Sequence, residues 1–273
     1  MSALKPPAAA GLSLEYAGAS DTGRQRQNNE DALLIDAEAG LAVLADGMGG
    51  YNAGEIASQM AVDRIGSLLL PWLRGPGRQA AADEVAQRLR AAIAEANQAI
   101  LHAAQQHAAW AGMGTTVVVA VLRPEGVQLG HVGDSRAYRW GVEGLRPLSR
   151  DHSLLQEQLD AGLIRPDQAR HAAHRNLVTR ALGVAPAVEA DLAWHPLRPG
   201  EGLLLCSDGL SDMLDDPEIA ALLPATAEAL PACAARLIDA ANAAGGRDNI
   251  SLVLIRMAGG PAPRRRWWDR GGR

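Results

Sequence analysis

TTVVVAVLRPEGVQLGHV, residues 115–132, carries the fold class. Thr115–Leu122 is β-branched and almost wholly apolar, which predicts a buried strand, and Pro124-Glu125-Gly126 is a turn. Val127–Val132 then reads as the second arm of a hairpin. Upstream, Ala32–Ile35 and Leu41–Ala45 are short strand-like runs, the second closed by Asp46-Gly47. Between them and the hairpin the period changes to helical. Ile56, Met60, Ile65, Leu68 and Leu69 recur up to Pro71, and an alanine-rich stretch from Gln79 to about Ala108 predicts a second, longer helix, with Gly75-Pro76-Gly77 as the loop between. Downstream, Ala137–Trp140, Val188–His195, Gly202–Cys206 and Ile250–Met257 read as strands and Ala227–Ala243 as a helix. Ser149–Gly183 is polar, rich in His and Arg, and predicts a flap of short helices and loops. Hairpins without regular βαβ alternation point to a layered α+β fold.

The chain of 273 residues is long enough for a sizeable core, and 48% hydrophobic against 21% charged residues excludes wholesale disorder. Its net charge of -5 gives no basic footprint for nucleic acid. Residues 261–273 hold five arginines and one aspartate, which leaves about -9 on the first 260. That tail, RRRWWDR at its centre, is expected to be a solvated end without catalytic part. Cys206 and Cys233 lie 27 residues apart, form no CxxC pair, and are expected to be core thiols. The N-terminus has no basic segment followed by an apolar one, and no apolar run reaches about 18 residues, so a cytoplasmic protein without a membrane span is expected.

Three strands end alike: LAVLADG at Asp46, LGHVGDS at Asp134 and LLLCSDG at Asp208. Each such aspartate alone is a turn signal. Taken with NNED at 28–31 and GRDN at 246–249, they suggest carboxylates gathered at one edge of a sheet, where they repel unless cations hold them. An all-oxygen donor set suits Mg²⁺ or Mn²⁺; zinc would prefer His and Cys. Two such ions activate water and stabilise charge during displacement at phosphorus, so the chemistry suggested is phosphoester hydrolysis.

These residues resemble the PP2C (PPM) family of metal-dependent protein Ser/Thr phosphatases, in its compact bacterial form. The resemblance rests on SDTGRQRQNNEDA (20–32), ADGMGGYNAGEIAS (45–58), GMGTTVVVAVL (112–122), VGDSRAY (132–138), LCSDGLSDML (205–214) and GGRDNISLVL (245–254), six motifs in the family's order. It implies an α+β fold with a central antiparallel β-sandwich flanked by helices on both sides, in four αββα layers. It also implies an N-terminal extension at 1–12, a phosphatase domain at 13–258 with its flap at 149–183, and a tail at 259–273. By the same resemblance Asp46 bridges two metals and Gly47 offers its carbonyl. Asp208 and Asp248 complete the first metal's carboxylates, Glu30 serves the second, and Asp134 with Asp208 holds a weaker third. Asp31 supports the site from behind, and Arg26 grips the substrate phosphate, which a guanidinium can bind through two oxygens at once. Met48 and Tyr51 stand where family members carry histidines; Met48 is read as packing and Tyr51 as lining the cleft, leaving water as the proton source. His131, His152, His171 and His174 receive no role.

The implied activity is hydrolysis of phosphoserine and phosphothreonine in proteins by a monomer, opposing a Ser/Thr kinase. Cysteine-dependent phosphatases need an arginine six residues after the cysteine, where this chain has Asp212 and Asp239. No GxxxxGK[ST] loop occurs. A nuclease is disfavoured by the acidic charge. The non-enzymatic alternative is a pseudophosphatase that binds phosphoproteins; its signature, loss of metal acids, is missing, since Glu30, Asp46, Asp208 and Asp248 are all present.

Overall fold

The computed structural model describes residues 13–50, 53–165, 168, 177–224 and 229–258. Two antiparallel sheets pack face to face. The first runs β1 (Ser13–Asp21), β11 (Ile250–Ala258), β10 (Gly202–Cys206), β7 (Arg136–Gly141), β8 (Gly144–Pro147). The second runs β2 (Asp31–Asp36), β3 (Leu41–Met48), β5 (Val117–Arg123), β6 (Gly126–Val132), β9 (Asp191–Pro196), with the short β4 (Gly114–Thr115) beside the end of β3. Helices α1 (Ala53–Arg74) and α2 (Ala82–Gln106) cover the second sheet. On the first lie α4 (Asp208–Ser211), α5 (Asp216–Leu222) and α6 (Leu230–Ala243), while α3 (Leu154–Asp160) sits in the flap. The expected four-layer αββα sandwich is present.

The apolar runs follow from that layering. A strand covered on both faces has no solvent side to mark with polar residues. On β5, Val118 and Ala120 enter the core between the sheets with Leu44, Leu205 and Val253, whereas Val117, Val119 and Val121 face α1 and α2 with Ile65 and Leu89. On the first sheet Leu204, Cys206, Leu252 and Leu254 turn outward to Cys233 and Leu237 of α6. Both cysteines are buried core thiols, as expected.

Several elements depart from the sequence expectations. Helix α1 does not stop at Pro71 but runs to Arg74. Trp72 and Leu73 are buried and hold the last turn in place, Trp72 packing on Gly77, where a Cβ would lie 2.4 Å from the indole. Pro76–Gln79 forms a 3₁₀ turn, and α2 begins at Ala82. Strand β1 escaped detection because Gly18 and small residues dilute its pattern, and β8 because it is an edge strand with Pro147. Helix α5 is an addition, and α6 is described from Leu230; positions 225–228 lie outside the described residues. So do Tyr51, His171, His174, the N-terminal extension and the tail. Among the described residues no helix is long and apolar enough to cross a membrane.

Candidate metal centre

Antiparallel pairing brings alternate strand ends to one rim of the sandwich. Asp46 and Gly47 stand at the end of β3, Glu30 just before β2, Asp134 in the β6–β7 turn, Asp208 after β10 and Asp248 just before β11. All six line a cleft of about 260 Å³ together with Arg26, Met48, Thr116 and Val178. Asp31 sits directly opposite Asp46 in the β2–β3 register, behind the cleft. The site residues named from sequence are thus gathered at one place, Met48 among the lining.

Local hydrogen bonds fix the backbone and leave carboxylates facing inward. The Asp46 N–H donates to Thr116 Oγ1 at 3.1 Å, while its carbonyl accepts from the Thr116 N–H at 2.9 Å and Thr115 Oγ1 at 2.8 Å. Asn249 ties the 22–30 loop to β11: its Nδ2 donates to the carbonyls of Thr22 (2.9 Å) and Asn28 (2.8 Å), and its Oδ1 accepts the Glu30 N–H at 2.8 Å. Gly23, at φ +81°, lets that loop close on β11; a Cβ there would stand 2.2 Å from the Asp248 carbonyl oxygen. Arg26 Nη2 donates to Asp248 Oδ2 at 2.7 Å, and half of the arginine side chain remains exposed over the cleft. Ser207 Oγ donates to Asp31 Oδ2 at 3.0 Å. Asn249, Ser207 and Thr116 were not assigned from sequence. Their signal was position: each directly adjoins an acid or a strand end in a quoted motif, yet a side chain whose task is to bind backbone has no distinctive spacing.

The electrostatics are those of a site built for cations. Burial first, then the neighbouring carboxylates, raises Asp46 and Asp208 well above the usual carboxylate range. Asp134 is pushed up to about 7, by burial and by Asp151, and Asp31 to about 6, chiefly by burial. Glu30 is raised by burial, against the opposing pull of Arg26. Asp31 Oδ1 is buried with no hydrogen-bond partner. A buried set of oxygen donors that oppose one another's ionisation fits hard divalent ions. Cys206, whose thiol burial drives up to about 12, is no nucleophile.

The chain is similar to known proteins. A sequence model described as Protein phosphatase 2C matches residues 18–243. The serine/threonine phosphatase stp of Listeria monocytogenes is 37% identical over 239 residues, covering 86% of this chain and 93% of that protein. The crystal structure of the Mycobacterium tuberculosis serine/threonine phosphatase PstP/Ppp superposes with a TM-score of 0.82 at 34% identity, covering 91% of this chain and 100% of that one. A structure of the PstP catalytic domain in complex with two manganese ions gives a TM-score of 0.79 at 34% identity, with 91% and 100% covered. The chain belongs to the protein phosphatase 2C family of metal-dependent protein serine/threonine phosphatases.

Proposed function

We propose that this chain hydrolyses phosphoserine and phosphothreonine in proteins at the acid-lined cleft, opposing a Ser/Thr kinase as a cytoplasmic monomer, with residues 13–258 as the catalytic domain. The observation that carries the reading is the meeting of five carboxylates from five strand ends in one small cleft whose lining includes one arginine. Asp46, the Gly47 carbonyl, Asp208 and Asp248 would hold one Mn²⁺ or Mg²⁺, Asp46 with Glu30 a second, and Asp134 with Asp208 a weaker third. Bound there, the ions supply an activated water and neutralise charge developing on the phosphoryl group.

The protein's own part is positional. Asp248 keeps the Arg26 guanidinium over the cleft, where it can orient two phosphate oxygens for attack from the side of the acids. Asp31, held by Ser207, backs Asp46 and fixes its setting on the strand. Met48 and Val178 give the mouth an apolar lining. The acidic surroundings disfavour a long polyanion such as nucleic acid and favour a single phosphate that arrives beside Arg26.

The test is hydrolysis of p-nitrophenyl phosphate and a phosphothreonine peptide, with and without Mn²⁺, by wild type and Asp208→Asn. Mn²⁺-dependent turnover by wild type and its loss in the variant are expected. Phosphopeptide binding without turnover at saturating Mn²⁺ would make the chain a binding module instead.

A further inference from the structure

Behind the Asp134 turn lies a second cluster of ionisable side chains that the phosphatase reaction does not use. His131 and His152 stack with ring centroids 4.6 Å apart, and ligand atoms of His131, His152 and Asp191 all lie within 4.8 Å of one another. The spacing invites a transition metal, but the hydrogen bonds argue otherwise. The Gly133 N–H donates to His152 Nδ1 at 3.1 Å, which consumes the lone pair on that nitrogen. A neutral ring then carries its proton on Nε2, the atom that faces Asp191 Oδ2 at 3.4 Å. A metal at Nε2 would have to displace that proton from an already neutral imidazole, and it would meet the Arg180 guanidinium, whose Nη1 lies 3.1 Å from the same nitrogen.

The cluster has a mechanical reading. Gly133 and His152 exchange two hydrogen bonds, since the His152 N–H also donates to the Gly133 carbonyl at 2.9 Å. Gly133 takes φ +107°, and a Cβ on it would fall 2.6 Å from the Thr116 Cβ, so the turn has no room for a side chain at this position. Its hold must come from neighbours. Thr116 Oγ1 meets Ser135 Oγ at 2.7 Å on one side of Asp134, and His152 grips Gly133 on the other. Asp191 faces the Nε2–H and is itself paired with Arg180 at 3.1 Å, while Arg180 also donates to the Glu189 carbonyl at 3.0 Å. The Thr179 N–H donates to the His152 carbonyl at 2.8 Å, so the returning arm of the flap closes on the same residue.

We propose that His152 is a positioning residue for Asp134: by accepting the Gly133 amide it sets the direction in which Asp134 enters the cleft, and Asp191, held in place by Arg180, favours the tautomer that does so. The inference rests on the reading of Asp134 as an acid of the weaker third metal.

Two replacements separate the acceptor from the bulk of the ring. His152→Asn places an amide oxygen near the position of Nδ1, whereas His152→Phe keeps a ring to stack on His131 and removes the acceptor. In the full chain, Mn²⁺ binding is counted by electron paramagnetic resonance, and exchange of the Gly133 amide is followed by NMR in the metal-free protein. His152→Phe is expected to speed Gly133 exchange about tenfold and to weaken the weakest Mn²⁺ about tenfold, leaving the tighter ions within about twofold. His152→Asn should stay within about threefold of wild type on both readouts. Wild-type affinity for the weakest ion in His152→Phe, or equal losses in the two variants, overturns the proposal. Asp134→Asn tells which reading has failed. If it loses the weakest ion while His152→Phe keeps it, only the positioning role falls; if it loses none, the Asp134 assignment falls and this inference with it. Should His152→Phe not fold, the half-exposed Asp191→Asn carries the test: about threefold weakening of the same ion is expected, and unchanged binding refutes the role.

Discussion

Two clusters of charge stand side by side in this molecule and differ in kind. In the cleft, Asp46, Asp134 and Asp208 are buried among like charges. One residue beyond the Asp134-Ser135 turn, Arg136 donates from Nε to Asp151 Oδ1 (2.9 Å) and from Nη2 to Oδ2 (2.6 Å), and from Nη1 to Tyr138 Oη (3.2 Å), which itself donates to Asp216 Oδ1 (3.2 Å). The second cluster closes on its own partners; the first is left to be closed by ions from solution. Removing a carboxylate should therefore do opposite things to stability in the two places.

The largest effect is expected at Asp46. Asp46→Asn should lower Mn²⁺-dependent hydrolysis at least about a thousandfold, roughly 4 kcal/mol of transition-state stabilisation. The same variant should melt no lower than wild type in chelator, because a neutral amide replaces a carboxyl whose charged form is opposed by burial and by its neighbours. A clear loss of metal-free stability would break the contrast. Asp151→Asn is expected to cost about 2–3 kcal/mol in denaturant unfolding, since it strands the Arg136 guanidinium; the figure lies below that of a fully buried pair because 30% of the arginine side chain is exposed. Little or no loss there would mean that Tyr138 and solvent suffice to satisfy the arginine.

Legibility in the sequence divides along a similar line. Asp46, Asp134 and Asp208 were readable because each follows a buried strand at a glycine turn, and Asp248 because it precedes one just after Gly245-Gly246, whereas Glu30 in NNED carries no glycine mark. Their convergence was inferred from ligand chemistry and family resemblance, and only antiparallel pairing of the strand ends makes it a matter of geometry. Closed clusters left no such mark. Arg136 and Asp151 are 15 residues apart, and nothing in their spacing says that they meet. Asn249 reads as an ordinary loop residue until its three backbone partners are seen. Helix α5 did carry a signal that went unused: Asp215 and Glu218 form a capping box with Pro217 in the first turn. Pro71 misled in the other direction, because burial of Trp72 and Leu73 outweighs the local penalty.

Acidity gives the next prediction, with the sign set by the raised carboxyls. Asp134 near 7 and Asp31 near 6 hold protons in the folded metal-free protein that the unfolded chain releases near the ordinary aspartate value. Metal-free stability should thus fall as pH rises from about 4 through 7, as those groups ionise against one another. Metal binding releases the same protons, so Mn²⁺ affinity should rise at least about tenfold between pH 6 and pH 8. Calorimetric titration at the two values checks it; a flat profile would mean that the carboxyls are already ionised, and that the cleft is less opposed to its own charge than its burial indicates.

The smallest expected change touches a bond that joins the two kinds of chemistry, the pair of Arg26 and Asp248, in which a cation of the chain already neutralises an acid of the cleft. Arg26→Lys keeps the charge but replaces a planar fork by a point donor. The geometry needed to hold Asp248 and two phosphate oxygens together is then lost, though the local potential is not. KM for a phosphothreonine peptide should rise about fivefold, near 1 kcal/mol, with kcat within about threefold. Mn²⁺ affinity should be unchanged within error, because the lysine still offsets Asp248 and every proposed metal ligand remains. If Mn²⁺ binding weakens in step with KM, Arg26 acts by shaping the acid cluster, and the division between a cleft closed by ions and a guanidinium reserved for phosphate does not hold.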